Sequence, residues 1–177
     1  LAILCQRADH LGEAGGRHQP REVGQRRAIR RGSQHRLPVN RLFFVGRNYH
    51  AHAVEMGSPV DKVAERAFYF TKSHHSLVES GATVPYPPET KNYHYEMELV
   101  LVIGKAGFRI SEAQAHEHIY GYATGLDMTR RDLQLVAREK GRPWDMGKDL
   151  EQGAVCSEVV PMSGVVLDKG EIELAVN

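Results

Sequence analysis

The sequence predicts an α+β domain, and three observations predict it. Strand-like segments outnumber helical ones, they do not alternate with helices as βαβ units would, and no internal repeat orders them into an array. The chain has 177 residues, enough for one domain with a sizeable core. Apolar residues make up 41% and charged residues 25%, the balance of an ordinary globular domain.

Residues 1–37 show no sustained period and are rich in Arg, Gly, Gln and His. Such a segment buries little, so it is expected to be disordered or loosely docked, or not native to the fold. A domain over 38–177 follows it. "RLFFVG" (41–46) reads as a short strand closed by Gly46. "NYHAHAVEMG" (48–57) reads as a helix, with Asn48 as N-cap and Gly57 and Pro59 as stops. "AFYFTK" (67–72) is a second strand. Pro85, Pro87 and Pro88 then mark a turn ahead of "NYHYEMELVLVIGK", where the apolar run Leu99–Ile103 marks a buried strand. "SEAQAHEHIYG" (111–121) opens with a Ser-x-x-Gln capping box and reads as a helix. "GYATGLD" leads as a strand to Asp127. Thr129 is expected to cap a helix that runs through Lys140 to Gly141 and Pro143. "EVVPMSGVVL" and "EIELAVN" are late strand candidates.

Charge narrows the function classes. Net charge is +1, so the chain as a whole makes no case for nucleic acid or a membrane as partner. Residues 1–40 nevertheless hold eight Arg, no Lys and three acids, which leaves the rest of the chain acidic. An Arg-rich arm could bind nucleic acid, but this one lacks aromatic residues for stacking on bases. Cys5 and Cys156 form neither a CxxC nor a disulfide ladder, so a reducing cytoplasm is the default. "LAILC" is too short for a signal or a membrane span, and the first residue is Leu rather than Met.

Glu96 and Glu98 lie two apart at the entrance of the apolar strand, so both carboxylates point to one face. Like charges that close repel, and a buried unpaired carboxylate is costly. A divalent cation answers both problems, with Asp127 as a third oxygen donor from a separate segment. An all-carboxylate set is hard and selects Mg²⁺ or Mn²⁺ over zinc. The plainer alternative is that the glutamates face solvent and pair with Lys91 or Lys105. His52 and Glu55, three apart on the first helix, share a face; they form either a general base with its orienting carboxylate or a surface ion pair. Arg131 and Gln134 could offer a guanidinium fork and an amide to a carboxylate or keto group, or belong to a polar helix face. The close pairs His50/His52 and His74/His75 fit no zinc pattern. There is no GxSxG, P-loop or GxGxxG.

Five stretches, in order and with matching spacing, resemble the fumarylacetoacetate hydrolase family: "VGRNYHAHAVEMG", "FYFTKSHHSLV", "VPYPPETKNYHYEMELVLVIG", "GYATGLDMTRRDLQ" and "KGRPWDMGKDLEQGAV". They cover roughly residues 38–165 and are most similar to the acylpyruvase branch, in particular its fumarylpyruvate-cleaving members. The resemblance implies a mixed β-roll with flanking short helices, assembled as a homodimer. It implies metal-dependent hydrolysis of a carbon–carbon bond in a 2,4-dioxo acid, fumarylpyruvate giving fumarate and pyruvate in aromatic catabolism. By the same resemblance Glu96, Glu98 and Asp127 hold Mg²⁺ or Mn²⁺, and His52, Glu55 and Lys148 are catalytic. Arg131, Gln134 and Lys72 contact or border a small 2-oxo acid substrate.

The sequence departs from the family after Lys148, where "DLEQGAV" replaces an aromatic–acid pair and a proline. It also stops at Asn177, where the family continues with further strands and an active-site loop, so an inactive fragment is an expectation too. An oxaloacetate decarboxylase or 2-oxo acid tautomerase would use the same metal and head group. A basic-armed binding module is the rival from outside enzymology.

Overall fold

The computed structural model describes residues 2–6, 27–49, 66–167 and 170–177. Among them the dominant element is a mixed sheet, as the α+β reading expects. Its strands are β1 (Ala2–Gln6), β2 (Arg27–Ile29), β3 (Arg36–Val45), β4 (Tyr69–Lys72), β5 (Leu77–Glu79), β6 (Tyr93–Ile103), β7 (Ile119–Arg130), β8 (Ala154–Cys156) and β9 (Val160–Pro161). They run in the order β2-β3-β1-β6-β7-β8-β5, with β4 also on β3 and β9 also on β7. Two helices, α1 (Arg131–Glu139) and α2 (Asp145–Lys148), sit together after β7.

The long β6–β7 pair is the backbone of the fold. It is antiparallel from Tyr93 opposite Arg130 to Ile103 opposite Ile119. Alternation carries Val100 and Val102 of β6 inward, where they meet Val39, Leu42, Phe44, Leu77 and Ala123 in the buried core. Gly125 is required where β8 crosses β7, because a Cβ there would lie 2.7 Å from the Val155 carbonyl.

Several expectations change. Two stretches of the segment read as loosely docked, Ala2–Gln6 and Arg27–Ile29, join the sheet. β1 pairs antiparallel with β3 and parallel with β6, and β2 pairs with β3. A strand edge satisfies the backbone of any extended segment laid along it, so neither stretch needs a sustained period of its own. The β7 strand runs three residues past Asp127, and Thr129 belongs to it rather than capping the next helix. At the true N-cap, Arg130 makes no side-chain capping bond. Glu112–His118 is a 3₁₀ helix, and Ser111 Oγ bonds the Gln114 side chain at 2.8 Å instead of a backbone N–H. "EIELAVN" has no hydrogen-bonded neighbour among the described residues and is not a strand. The helix expected over 48–57 falls almost wholly outside the described residues. No helix among the described residues is long and apolar enough to cross a membrane.

Candidate active site

Register places the carboxylates. Glu96 lies directly opposite Asp127 across the β6–β7 ladder, and Glu98 lies opposite Gly125. The face of β6 that sends Val100 and Val102 into the core therefore turns Glu96 and Glu98, nearer its start, toward a cavity of about 320 Å³. Glu98 is buried, and Asp127 is only 1% exposed.

Three cations converge on these acids. Lys148 closes α2, and α2 packs so tightly on α1 that a Cβ on Gly147 would come within 2.7 Å of the Gln134 nitrogen. That approach delivers the Lys148 ammonium to β7. It donates to Glu96 Oε2 at 2.8 Å, to Asp127 Oδ2 at 2.7 Å and to Thr129 Oγ1 at 2.7 Å. Arg131, at the start of α1, donates to Glu96 Oε1 and to Gln134 Oε1. Lys72, the last residue of β4, donates to the Met128 and Gly153 carbonyls, each at 2.7 Å. Its Nζ also stands 2.8 Å from Asp127 Oδ1.

The electrostatics follow from this packing. Burial alone would push the Glu96 carboxyl up, but the adjacent Lys148 and Arg131 charges overcome it and hold Glu96 well below the usual carboxylate range. Burial pushes the Glu98 carboxyl up to about 7, and the charges of Asp127 and Glu96 add to the rise. Burial pulls the Lys72 ammonium down, opposed by Asp127. Burial raises the Tyr49 phenol, and Glu98 raises it further. The Tyr49 hydroxyl accepts the Leu99 N–H at 3.0 Å, fixing that ring at the cavity wall beside Glu98.

An aromatic wall completes the site. Trp144 packs edge-on against Phe68 at 5.6 Å and lies 5.9 Å from Phe70. The Lys148 ammonium sits 4.8 Å from the Phe70 ring centre. Apolar faces around fixed charges lower the local dielectric and strengthen what those charges do.

The structure brings Glu96, Glu98, Asp127, Arg131, Gln134 and Lys148 into one neighbourhood. His52 and Glu55 lie outside the described residues. Lys72 is placed differently from the expectation of a pocket-bordering contact residue. Its side chain is 0% exposed, it does not line the cavity, and its donors serve Asp127 and two carbonyls behind the site. Among the described residues, no three His, Cys, Asp or Glu side chains are grouped closely enough to hold a metal ion. The reason is visible in the contacts: Lys148 and Arg131 occupy both oxygens of Glu96, and Lys148 takes one oxygen of Asp127. Asp127 Oδ1 is buried with no hydrogen-bond donor aligned on it, despite the nearby Lys72 ammonium.

Besides Tyr49 and the aromatic wall, sequence reasoning missed the parts played by Thr129 and Asp132. Thr129 shares a strand face with Asp127 at i+2, a signal that appears only once β7 is drawn past Asp127. Asp132 accepts the Thr90 hydroxyl at 2.6 Å and the Lys91 N–H at 3.0 Å, tying the proline turn to α1.

Comparison with known proteins gives the chain's family. Residues 41–177 match the model of the fumarylacetoacetate (FAA) hydrolase C-terminal family. Over 122 residues, 69% of this chain and 64% of the relative, the sequence is 76% identical to a fumarylpyruvate hydrolase of Ralstonia sp. It is 39% identical to a mitochondrial oxaloacetate tautomerase of Arabidopsis thaliana over 134 residues, 76% of this chain and 58% of that protein. The fold superposes on the crystal structure of fumarylpyruvate hydrolase from Pseudomonas aeruginosa, in complex with Mn²⁺ and pyruvate. The TM-score is 0.72 at 46% identity, over 82% of this chain and 63% of that one. The chain thus spans a little under two thirds of the length of these relatives.

Proposed function

From the premise that the chain belongs to the fumarylacetoacetate hydrolase family, we propose that this protein hydrolyses a carbon–carbon bond in a 2,4-dioxo acid. Fumarylpyruvate is the substrate that the 76% identity favours, giving fumarate and pyruvate. The observation that carries the reading is the cross-strand pair Glu96–Asp127, with Glu98 on the same strand face and Lys148 and Arg131 bound to the pair. Hydrolysis of this kind, cytoplasmic location, homodimer assembly and a place in aromatic catabolism form one reading.

The donor set suits a hard dication. Glu96, Glu98 and Asp127 supply only oxygen, and Asp127 Oδ1 is a buried acceptor without an aligned donor. Mg²⁺ or Mn²⁺ held there would supply Lewis acidity and a two-point hold on a 2-oxo acid head. The chain's own cations would turn from these carboxylates toward the ligand.

The residues then divide the work. Arg131 and Gln134, already bonded to each other, present donors to the ligand's carboxylate and keto oxygen. His52, oriented by Glu55, takes a proton from the water that adds to the distal carbonyl carbon. The bond between that carbon and the neighbouring CH₂ breaks, and its electron pair stays with the pyruvate fragment as an enolate. Lys148 stabilises that developing charge beside the Trp144–Phe70 wall, and protonation of the enolate carbon gives pyruvate. Three carboxylates face three cations in the cluster, so a dication leaves it positive by two, a match for the two carboxylates of fumarylpyruvate.

The relatives named oxaloacetate tautomerase support a second reading, since oxaloacetate has the same head group and needs no attacking water. A substrate panel with and without EDTA separates the two. Fumarylpyruvate loss that stops with EDTA and returns with Mn²⁺, and that exceeds oxaloacetate turnover, is the expected result. Preferential turnover of oxaloacetate would transfer the site to the second reading.

A further inference from the structure

We propose that Arg138 determines specificity by binding a second carboxylate at the far end of the ligand, which selects diacids among 2-oxo acids. This rests on the ketoacid reading of the site. α1 presents Arg131, Gln134 and Arg138 to the same cavity, at helical positions i, i+3 and i+7. Seven residues are about 10 Å along a helix axis, so the two guanidinium groups mark the two ends of an extended ligand. They are in different states. Arg131 is buried and committed to Glu96 and Gln134, at the end where a ketoacid head would lie.

Arg138 lies at the exposed end and pairs with no carboxylate among the described residues. Leu135, one turn before it, and Trp144 make the intervening wall apolar, which suits the middle of an unsaturated or aliphatic chain. A cation in the last turn of a helix also complements the helix dipole. That role predicts a small stability change and no ligand preference.

The test compares 2-oxoadipate with 2-oxohexanoate, which share chain length and head group and differ only in the distal carboxylate. Calorimetry with saturating Mn²⁺ measures both on the protein, on Arg138→Gln and on Arg138→Lys. The protein should favour the diacid by about ten-fold, the scale of one charge-assisted hydrogen bond. Arg138→Gln should bring the ratio toward one, and Arg138→Lys should keep part of the preference. A ratio unchanged in Arg138→Gln overturns the assignment, as does a protein that binds 2-oxohexanoate equally well. Binding of neither compound overturns the ketoacid reading and this inference with it.

Discussion

Lys148 donates to two acids and a threonine, and Lys72 stands behind one of the same acids. The two lysines answer different needs, so their removal should give different signatures. Lys148→Met takes away the cation that would meet the developing enolate, and kcat should fall by about 10²-fold or more. The same change frees oxygens of Glu96 and Asp127, so Mn²⁺ affinity should hold or rise. A fall in both would place Lys148 in the metal's support instead. Lys72→Met takes one of two cations from the buried Asp127 carboxylate and a donor from two carbonyls, and chemical denaturation should show a loss of about 3–5 kcal/mol. A loss under 1 kcal/mol would mean that Asp127 does not depend on it. At this scale the shared face of the two glutamates was legible, because side chains at i and i+2 of a strand point the same way; whether that face meets a cation or solvent stays open from the spacing alone. The place of Lys72 was not legible. Whether a strand-end lysine faces a cavity or the carbonyls of a neighbouring turn depends on which segments pack behind it, and no local pattern records that.

At the scale of elements, β6 was readable from its apolar run and the middle of β7 from "GYATGLD", though Ile119–Gly121 read as the end of the preceding helix. The register of the two strands turns sequence spacing into a site by setting Glu96 against Asp127. The start of α1 was misread, since Thr129 looks like a cap but spends its hydroxyl on Asp127 O and on Lys148. Asp132 organises that end. Hydrogen bonds from the Thr90 hydroxyl and the Lys91 N–H hold its carboxyl below the usual range. A depressed folded value stabilises above the unfolded value, near pH 4, and that contribution is lost as pH falls through the folded value. The Tm of Asp132→Ala should therefore trail the parent at pH 7, with the gap closing below about pH 4. A gap independent of pH would remove the charge from the account. The short strands β2, β5 and β8 escaped sequence reading because three residues carry too little alternation to register; partner edges make them strands.

The whole molecule balances its charge unevenly. The Arg-rich first forty residues give way to an acidic remainder, and within that remainder three carboxylates are gathered against three cations beside one cavity. The fold class was legible from the ratio and order of strands and helices. The joining of Ala2–Gln6 to the sheet was not, because strand pairing is a long-range property that the segment's own composition argues against. The functional reading depends on the gathering of acids from β6 and β7, and Mn²⁺ titration by calorimetry tests it most directly. The protein should bind one Mn²⁺ per chain, and Glu98→Ala should abolish that binding while the fold persists. Undiminished Mn²⁺ binding by Glu98→Ala, or none by the parent protein, would contradict the account.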